Sequence, residues 1–500
     1  IVTYSEFRLK RWKVTACASS LTSPHLETLA RRQNPVLEVA GGQRLAKPLV
    51  SHTFMRACKL VALMSPLVLL MPLSYVLGPW VCDWYIHWAV HKAGAACIKL
   101  CQWASSRDDL LSPPWRDRLS RFHSEVPPHS WELTVDTLNR AFGPAWQEKV
   151  TIDSNTPVGS GCVAQVYRGT LCRDGQAVAV KVLHPGVRAD IESDLALLAS
   201  ASSFIERHNT HMSPESVITE FSHRMKQQLD LRLEYQHLRR FLNNFRDVAE
   251  VKFPVPVDDL VHEEALVESF EDAQPVMSFV RHAPTDTKRR LSEIALKAVL
   301  KMVLLDNFVH ADLHPGNMLV HCTRRNGSGS SKGTSPSSSE GGGVGAMLED
   351  DCDVDLTFCF LDAGLVGDLK QSSHLSLVDT LSALTSRDGF LAGEVLANAS
   401  SAQHHCEPRD VPGFQEGLER ILRKASSSNT LTIEIGSYID QIFDLCRDHD
   451  VRLDPQFASI AIAVRIMEGI ATRLNPDVEL VPFAAPMFLQ MKLRAAMFER

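Results

Sequence analysis

The most informative stretch of this sequence is His310-Ala-Asp-Leu-His-Pro-Gly-Asn317, between an apolar, helix-like run and the strand-like Met318-Leu-Val320. An Asp and an Asn five residues apart match a phosphotransfer loop, in which a carboxylate orients or deprotonates the attacking hydroxyl and an amide oxygen ligates Mg²⁺. A polar turn that happens to contain Asp and Asn is the alternative interpretation. The pattern predicts Asp312 as the catalytic group and Asn317 as a metal ligand.

A second signal is the apolar run from Phe358 to Leu361, which ends in Asp362 with Gly364 two residues later. Mg²⁺ takes oxygen ligands and bridges nucleotide phosphates, so its site needs a carboxylate presented from a rigid strand end. Alone, an Asp-x-Gly turn after a strand is more often structural. Because this turn follows the first motif in chain order, Asp362 is predicted to be the second metal ligand.

Upstream lies a glycine-containing hairpin, Val158 to Val166, followed by Ala177-Val-Ala-Val-Lys181. Small residues let backbone N–H groups approach phosphates, and a Lys on the next strand can reach them. Glu234, on a predicted helix, is the candidate partner of Lys181, although other acids on that helix are alternatives and a solvated Glu is the simpler interpretation. The predicted ATP-binding residues are Val158, Gly159, Ser160, Gly161, Cys162, Val163, Ala164, Gln165, Val166, Lys181 and Glu234.

Bulk composition limits the possible functions. Five hundred residues suggest about two or three core units, and 45% apolar with 22% charged residues are ordinary values for globular proteins. A net charge of −7 argues against a broad basic face, so no nucleic acid is predicted as a partner. The twelve cysteines include no Cys-x-x-Cys pair, which favours free thiols over a disulfide framework.

The first part of the chain suggests targeting and membrane contact. Residues 1–59 are basic and contain Ser and Thr, typical of a mitochondrial targeting region or of a solvated basic arm. Residues 60–82 contain no charge and match the ~20 residues needed to span a bilayer. Three prolines argue against a regular helix there, so membrane insertion and buried packing helices both remain open. Because the sequence begins at Ile1 rather than Met, we expect its natural start to be absent or processed.

The remaining organisation follows the order of the motifs. Residues 84–150 are predicted to form a helical extension, 151–280 the N-lobe and 281–500 the C-lobe of a bilobed α+β fold. Residues 324–351 are rich in Gly and Ser and are predicted to be a disordered insert. Ser213-Pro214 is a good helix start, and the helical pattern continues to about Phe245.

Four residues of the helical extension have side chains of the types that bind zinc. His87, His91, Cys97 and Cys101 lie at i,i+4 spacings and contain the ligand types of a Cys₂His₂ zinc site. They lack the loop that normally separates the two halves of such a site. Packing thiols and interfacial imidazoles are therefore the favoured interpretation.

These motifs together resemble the UbiB, or AarF-domain-containing, family of atypical kinases, over roughly residues 85–485, and within it a mitochondrial subgroup. The motifs that support the resemblance are Ala164-Gln-Val166, Val180-Lys-Val182, His184-Pro-Gly-Val187, Asp312 to Asn317 and Leu474-Asn-Pro476. The resemblance implies a protein-kinase-like fold whose N-terminal helical extension covers the cleft. It also implies ATP and Mg²⁺ as cofactors, and ATPase or small-molecule or lipid kinase activity.

For cellular role, the resemblance implies mitochondrial ubiquinone synthesis or lipid metabolism at the inner membrane. The implied partners are mitochondrial membrane lipids, ubiquinone precursors and ubiquinone-synthesis proteins. A nucleotide-switched lipid- or protein-binding module without phosphoryl transfer is the rival function. An aminoglycoside-type kinase has the same Asp, Asn and Asp side chains in the same order. The N-terminal segment that contains Lys99 favours the UbiB-like family instead.

Several positions depart from the family pattern. The family's regulatory Lys-x-Gly-Gln motif appears as Lys99-Leu-Cys-Gln102, and its Glu-x-Asp partner appears as Gln228-Leu-Asp230. The regulatory positions assigned by resemblance are therefore Lys99, Gln102 and Asp230, with the inhibitory contact in doubt. Asp362-Ala-Gly replaces Asp-Phe-Gly, and no Ala-Pro-Glu follows it, which disfavours a peptide substrate.

Overall fold

In the computed structural model, the described residues are 47–77, 80–105, 126–208, 214–324, 354–369, 371–386, 388–404, 410–427, 435–449 and 455–478, with a few isolated positions. Most of the basic segment predicted at 1–59 and nearly all of the insert predicted at 324–351 lie outside them. The chain divides into two units, Ile1–Ser51 and His52–Arg500, and the second contains every strand of the described residues.

The described helices are α1 (Lys47–Leu77), α2 (Trp80–Ala93), α3 (Ala95–Ser105), α4 (Trp131–Phe142), α5 (Val187–His208), α6 (Pro214–Gln227), α7 (Leu231–Asn244), α8 (Val276–His282), α9 (Thr285–Leu300), α10 (Gln371–Thr385), α11 (Gly389–His404), α12 (Val411–Ser427), α13 (Ile435–Asp448) and α14 (Pro455–Leu474). The described strands are β1 (Val150–Ile152), β2 (Gly159–Ser160), β3 (Ala164–Leu171), β4 (Ala177–Leu183), β5 (Val251–Lys252), β6 (Pro256–Val261), β7 (Ala265–Ser269), β8 (Gln274–Pro275), β9 (Val309–His310), β10 (Met318–Arg324), β11 (Val354–Phe360) and β12 (Val366–Gly367).

The N-lobe is built on an antiparallel sheet in the order β1-β3-β4-β7-β6, with β2 paired to β3. Side chains alternate between its two faces because the period of a strand is two residues. The outer face packs against α4 in a core that includes Tyr167, Val178, Val180 and Val267. The opposite face of β4 therefore presents Ala179 and Lys181, which points Lys181 away from the outer core.

The C-lobe contains a second sheet, in the order β5-β11-β10-β8, and a two-stranded β9–β12 ribbon. Helix α9 packs against α14, and their apolar residues join a core that runs from the N-lobe helices to Leu474. The chain passes from the first sheet to the second at residues 270–273. This crossing lies a few residues before residue 280, where the lobe boundary was predicted.

Two helical stretches, residues 80–105 and 214–244, are each divided into two helices. Gly94 separates α2 from α3 with a φ of 112°, a backbone conformation that L side chains rarely adopt. Asp230 separates α6 from α7, and its carboxylate accepts the backbone N–H of Arg232 as an N-cap. These single residues end one helix and start the next, which overrides the periodicity on either side.

The apolar segment predicted at 60–82 contributes its residues 60–77 to α1. Among the helices that the structure describes, none combines the length and apolarity needed to cross a membrane.

A buried ion pair joins α1 to the N-lobe. Arg56 donates from Nε to Oδ1 of Asp194 on α5 at 3.0 Å, and from Nη2 to Oδ2 of the same carboxylate. Nη2 also donates to the carbonyl of Ala93 at 3.1 Å, at the end of α2. Only 8% of Arg56 and 2% of Asp194 are exposed, so the pair is shielded from water. One guanidinium thus ties three helices together.

We expect Arg56→Ala to lower the free energy of unfolding by about 3 kcal/mol, because it leaves the Asp194 carboxylate buried without a counterion. Urea denaturation followed by circular dichroism measures this loss. The exposed surface pair Arg246–Asp247 provides the control, and Arg246→Ala should cost under about 1 kcal/mol. Recovery of stability in an Arg56→Met, Asp194→Leu double variant would attribute the loss to the unpaired charge. Equal losses in Arg56→Ala and Arg246→Ala would contradict the buried-pair interpretation.

Candidate active site

An ion-paired lysine lies at the centre of the cleft between the two sheets. Lys181 Nζ on β4 donates to both oxygens of Glu234 on α7, at 2.8 and 2.7 Å. The same nitrogen lies 3.2 Å from Oδ1 of Asp362, which follows β11 in the C-lobe. The predicted Lys181–Glu234 pair therefore forms, and Lys181 also contacts a predicted metal ligand in the other lobe.

Asp362 is held at the end of β11 in an unusual conformation. Its φ is 51°, in the left-handed region, and the backbone N–H of Gly364 donates to its Oδ1 at 3.2 Å. His237 of α7 contacts the carbonyl of Ala363 through Nδ1 at 2.8 Å, which fixes the turn from the N-lobe side. A strained backbone stabilised from both sides is typical of a side chain whose direction matters.

Asp312 and Asn317 lie in the loop that precedes β10. The side-chain amide nitrogen of Asn317 donates to the carbonyl of Asp312 at 3.3 Å, which leaves its amide oxygen for another role. Leu361 N–H donates to the carbonyl of Asn317 at 2.9 Å, so Asn317 and Asp362 occupy adjacent strand ends. Amide and carboxylate oxygens are suitable ligands for Mg²⁺, and this juxtaposition fits a metal ion between them.

The two histidines of the loop brace its backbone. His310 is fully buried, contacts the carbonyl of Leu361 through Nε2 at 2.9 Å and accepts from Asp312 N–H through Nδ1. Burial lowers its pKa, so the imidazole is neutral and donates through Nε2. His314 accepts the N–H of Gly316 through Nδ1. Both histidines therefore support the backbone of the loop that carries Asp312.

Lys99, from the N-terminal extension, reaches the same loop. Its Nζ lies 3.8 Å from Oδ2 of Asp312, with 21% of its side chain exposed. Burial disfavours the charge, but the carboxylates of Asp312 and Asp362 outweigh burial and raise the pKa of Lys99. Helix α3 therefore places a permanent ammonium group beside the predicted catalytic carboxylate.

The other two regulatory positions, Gln102 and Asp230, have recorded contacts of their own. Gln102 lies one turn further along α3, and its carbonyl accepts the Ser105 hydroxyl at 2.7 Å. Asp230 is engaged at the α7 N-terminus, where its carboxylate pairs with Arg232 at 2.7 Å. Gln228, which stands where the family has Glu, has a buried Oε1 with no hydrogen-bond partner among the described residues.

The predicted nucleotide loop forms a tight hairpin. Gly159 pairs with Val166 and Ser160 with Gln165, and Gly161 N–H donates to the carbonyl of Ala164 at 2.8 Å. Neither Gly159 nor Gly161 has a positive φ, so backbone conformation does not require glycine at these positions. Their contribution is the open space that a missing side chain leaves for a ligand. Ser160 Oγ is buried and has no hydrogen-bond partner in the described residues, which fits an acceptor arriving from outside the chain.

Most side chains of this loop face inward. Cys162, Val163 and Gln165 are buried, whereas Val158 is 59% exposed. Ala164 and Val166 are half-buried on the cleft side of β3. Any contact of the buried residues with a nucleotide would therefore come from their backbone, as the small-residue argument requires.

Two neutral histidines support the loop from behind. His184 lies 2.8 Å from the carbonyl of Gly161 through Nε2, and 2.7 Å from Nδ1 of His129 through its own Nδ1. Burial lowers the pKa of both rings, that of His129 to about 4. One proton arrangement satisfies all contacts: His184 donates to Gly161, and His129 donates to His184 while accepting from Gln165 or Thr134. Gln165 therefore acts as a scaffold for the loop.

Burial and neighbouring charges shift the pKa values of the carboxyl groups around Lys181 in opposite directions. The ammonium groups of Lys181 and Lys99 outweigh the effect of burial and hold the pKa of Asp362 below its usual range. Burial, with the Asp362 carboxylate alongside, raises the pKa of Glu234 to about 7 despite its contact with Lys181. Burial beside Glu234 raises the pKa of Glu268 to about 8. Lys181 thus forms ion pairs with two carboxylates, while a third carboxyl group, Glu268, lies buried nearby without an ion pair of its own in the described part of the chain.

The four residues considered as an alternative zinc site, His87, His91, Cys97 and Cys101, do not form a group of metal ligands among the described residues. His87 and His91 are near each other, with ring centroids 4.5 Å apart. The single group of three metal-type ligands in the described part of the chain is elsewhere, at Glu271, His321 and Cys359. Glu271 accepts a hydrogen bond from the Ser269 hydroxyl and lies 3.0 Å from His321 Nε2. These contacts attach the segment that connects the two sheets, residues 270–273, to β10.

Two family models match the chain. The ABC1 atypical kinase-like domain matches residues 121–395, and the UbiB helical domain matches residues 418–479. The first match alone covers more than half of the 500 residues. The chain belongs to the ABC1/UbiB family of atypical kinases. The family and the kinase-like α+β fold predicted from the motifs are confirmed.

Curated relatives agree with this assignment. A mitochondrial ABC1 family protein of Saccharomyces cerevisiae is 30% identical over 87% of this chain and 74% of its own length. A probable serine/threonine-protein kinase of Dictyostelium discoideum is 29% identical over 88% of this chain and 69% of its own. A probable protein kinase UbiB of Shewanella pealeana is 25% identical, covering 80% and 68%. The ABC1/UbiB domain match includes Lys181, Glu234, Asp312, Asn317 and Asp362, whereas Lys99 precedes it.

Sequence reasoning missed one acidic residue of the ABC1/UbiB cleft. Glu268 lies on β7, whose five residues are all buried, and is 9% exposed. Its Oε2 has no hydrogen-bond partner among the described residues. The available signal was a single carboxylate inside the apolar run Ala265-Leu-Val-Glu-Ser269, because buried strands rarely contain an ionisable group without a reason.

We expect Lys181→Met to make stability fall more steeply as pH rises from 5.5 to 8.5. Without the ammonium, Glu234 and Glu268 keep their protons in the folded state at pH values where the unfolded chain has released them, so rising pH favours unfolding. Each added unit of pKa costs about 1.4 kcal/mol at the alkaline end. Thermal melts at several pH values measure this slope. Lys297→Met, at an exposed helix position, is the control; a loss for Lys181→Met that is constant with pH would contradict the expectation.

Proposed function

We propose that this protein binds Mg·ATP in the cleft between its lobes and cleaves the γ-phosphate, as an ATPase or as a small-molecule or lipid kinase. The observation that supports this most directly is the contact of Lys181 with both Glu234 and Asp362, because it joins the phosphate-binding strand to the metal-binding turn. The adjacent Asp312–Asn317 loop supplies the remaining polar groups. Phosphoryl transfer depends mainly on positioning and charge stabilisation, which this arrangement provides.

The proposed roles follow from the positions of the side chains. Lys181, oriented by Glu234, binds the phosphates, and the backbone N–H groups of the Gly159–Gly161 hairpin cover them. Asn317 and Asp362 would hold Mg²⁺, which when bound neutralises charge on the phosphates. Asp312 would accept a hydrogen bond from the attacking hydroxyl or water and take its proton as the new bond to the γ-phosphorus forms and the bond to the β-phosphate oxygen breaks, releasing ADP.

Lys99 restricts what can reach Asp312. Its ammonium lies 3.8 Å from the carboxylate that must accept the nucleophile's hydrogen bond. A bulky acceptor hydroxyl has to displace Lys99, whereas water needs less space. This contact supports ATP hydrolysis as the basal activity and transfer to an acceptor as the regulated one.

We expect Asp312→Asn to lower Mg·ATP turnover by about 10²- to 10⁴-fold, because an amide cannot accept the nucleophile's proton. Asp362→Asn should instead raise the Mg²⁺ concentration required for half-maximal turnover, because it removes a charged ligand. A phosphate-release assay over a Mg²⁺ titration measures both effects. Asp286→Asn, at an exposed position on α9, is the control. Turnover by Asp312→Asn equal to that of the wild type would remove Asp312 from this role.

Location is the second part of the proposal. The S. cerevisiae relative and a Schizosaccharomyces pombe relative are named mitochondrial, which supports a mitochondrial site of action. We propose that the protein acts at the inner membrane in ubiquinone synthesis or lipid metabolism, with membrane lipids as a partner and ubiquinone precursors or ubiquinone-synthesis proteins as further candidates. Fractionation of mitochondria with matrix and inner-membrane markers tests the location. Recovery only in the soluble matrix fraction would contradict it.

An exposed apolar stripe on α1 supports the lipid contact. Phe54, Val61 and Leu69 are each at least 67% exposed, and their spacing along α1 keeps them near one face. Met55 is 69% exposed beside them, and Trp84 on α2 is 66% exposed. Helix α2 is packed to α1, since Tyr85 donates to the carbonyl of Leu63 at 3.0 Å. Exposed aromatic and aliphatic side chains on one helix face are suited to the lipid headgroup boundary.

We expect Phe54→Ser with Leu69→Ser to reduce co-sedimentation with vesicles of phosphatidylcholine and cardiolipin at least about fivefold, because the stripe loses apolar area. Phe390→Ser, an exposed aromatic position in the C-lobe, should leave sedimentation unchanged. Equal binding of all three proteins would remove the stripe from this role.

The rival binding-module function is favoured by the Lys99–Asp312 contact, which links α3 directly to the nucleotide cleft. Displacement of Lys99 by a nucleotide would move the helices that precede it. If ATP alters vesicle binding while phosphate release stays at the level of the uncatalysed reaction, the switch function replaces the ATPase.

A further inference from the structure

Glu268 lies on the cleft-facing side of the N-lobe sheet. Its strand β7 pairs with β4 so that Ala179 is opposite Glu268 and Lys181 is opposite Leu266. Paired residues of antiparallel strands point to the same face, and alternate residues along a strand do so too. Because Val180 and Val267 belong to the outer core, Ala179, Lys181 and Glu268 share the face that lines the cleft.

This carboxyl group is buried but not paired with a cation. Lys181 makes its ion pairs with Glu234 and Asp362 instead. Glu268 Oε2 has no hydrogen-bond partner among the described residues. Since an unsatisfied buried polar atom is costly, the group is explained best by a partner that is not part of the chain.

Glu268 faces charged groups from four parts of the fold. These are Lys181 on β4, Glu234 on α7, Asp362 after β11 and Glu271 after β7. Burial, reinforced by the three carboxylates, raises the pKa of Glu268 to about 8 and outweighs Lys181. Burial therefore favours the protonated carboxylic acid, which has one O–H donor and one C=O acceptor side by side.

The direction of β4 indicates where the base of a bound nucleotide would lie. The Gly159–Gly161 hairpin is at the Leu183 end, because Ala164 pairs with Leu183. Phosphates near Lys181 therefore leave the base on the Ala179 side. Lys181 marks the phosphate end, and Ala179 lies two residues further along β4, about 7 Å away on the same face. Ala179 has a small side chain, which leaves room for a flat ring beside the strand. A nucleotide with its phosphates at Lys181 brings its base towards Ala179 and hence towards Glu268.

We propose that Glu268 selects a 6-aminopurine base: its O–H donates to purine N7 and its C=O accepts from the exocyclic amine. This inference rests on the proposed nucleotide-binding function and identifies the group that distinguishes the bases. Adenine presents a donor beside an acceptor on this edge, whereas guanine presents two acceptors. A carboxylic acid matches the first pattern and leaves one guanine acceptor facing its own oxygen.

Isothermal titration with the Mg²⁺ complexes of the imido analogues of ATP and GTP tests this assignment. The wild type should prefer the adenine analogue by about tenfold to a hundredfold, as expected for a two-point contact with a base edge. Glu268→Leu should remove most of that preference. Glu268→Gln should keep it, because a glutamine amide makes the same pair of contacts with N6 and N7 of adenine. Glu264→Gln, just before β7 on a partly exposed side chain that pairs with Arg140, is the control.

The pH dependence provides a second readout that does not depend on the Leu variant folding. Above about pH 8 the wild type should lose affinity for the adenine analogue, because the carboxylate no longer donates to N7. The Gln variant cannot ionise and should not show this loss. Parallel pH profiles for the two proteins, or unchanged base preference in a folded Leu variant, would overturn the role of Glu268. Absence of binding of either analogue to the wild type would instead remove the nucleotide-binding function, and this inference with it.

Discussion

The cleft depends on one shared ammonium group. Lys181 is the positive charge that Glu234 and Asp362 both contact, and a third carboxyl group, Glu268, lies on the same face of the sheet. These groups come from a strand and a helix of the N-lobe and from a strand end of the C-lobe. Taking so many carboxyl groups out of water is unfavourable unless a cation accompanies them. Lys181 therefore connects the two lobes, and it lies where the proposed phosphates and metal ion would bind.

Much of this site was predictable from the sequence because its groups sit in short, ordered motifs. Lys181, Asp312, Asn317 and Asp362 each follow a strand or loop pattern that dictates the direction of the side chain, and the structure places them around one cleft. Glu234 was harder to predict, since its helix contains several acids and only tertiary packing decides which one faces Lys181. Glu268 was missed for the same reason. Its role depends on the pairing of β7 with β4, and a strand pairing is a long-range property.

The fold shows the same division between local and long-range information. Helices and strands were predicted where periodicity is strong, but the breaks at Gly94 and Asp230 were not. A single positive φ or one side-chain cap ends a helix without disturbing the apolar pattern around it. Arg56 and Asp194 lie 138 residues apart, so no local pattern could have joined them. In the nucleotide loop, the small residues indicated an approach through backbone N–H groups, and the buried side chains of Cys162, Val163 and Gln165 agree with that interpretation.

The Arg56 contacts have a mechanical consequence. Because one guanidinium binds both a carboxylate of α5 and the last carbonyl of α2, helix α1 cannot swing independently of the lobe that contains the nucleotide loop. Helix α3 begins immediately after that carbonyl, at the Gly94 break. Its residue Lys99 lies next to the carboxylate of Asp312. Helices α1, α2 and α3 thus form one connected path from the Arg56 contacts to the Lys99–Asp312 contact. A ligand bound to the outer face of α1 would lie on this path without entering the cleft.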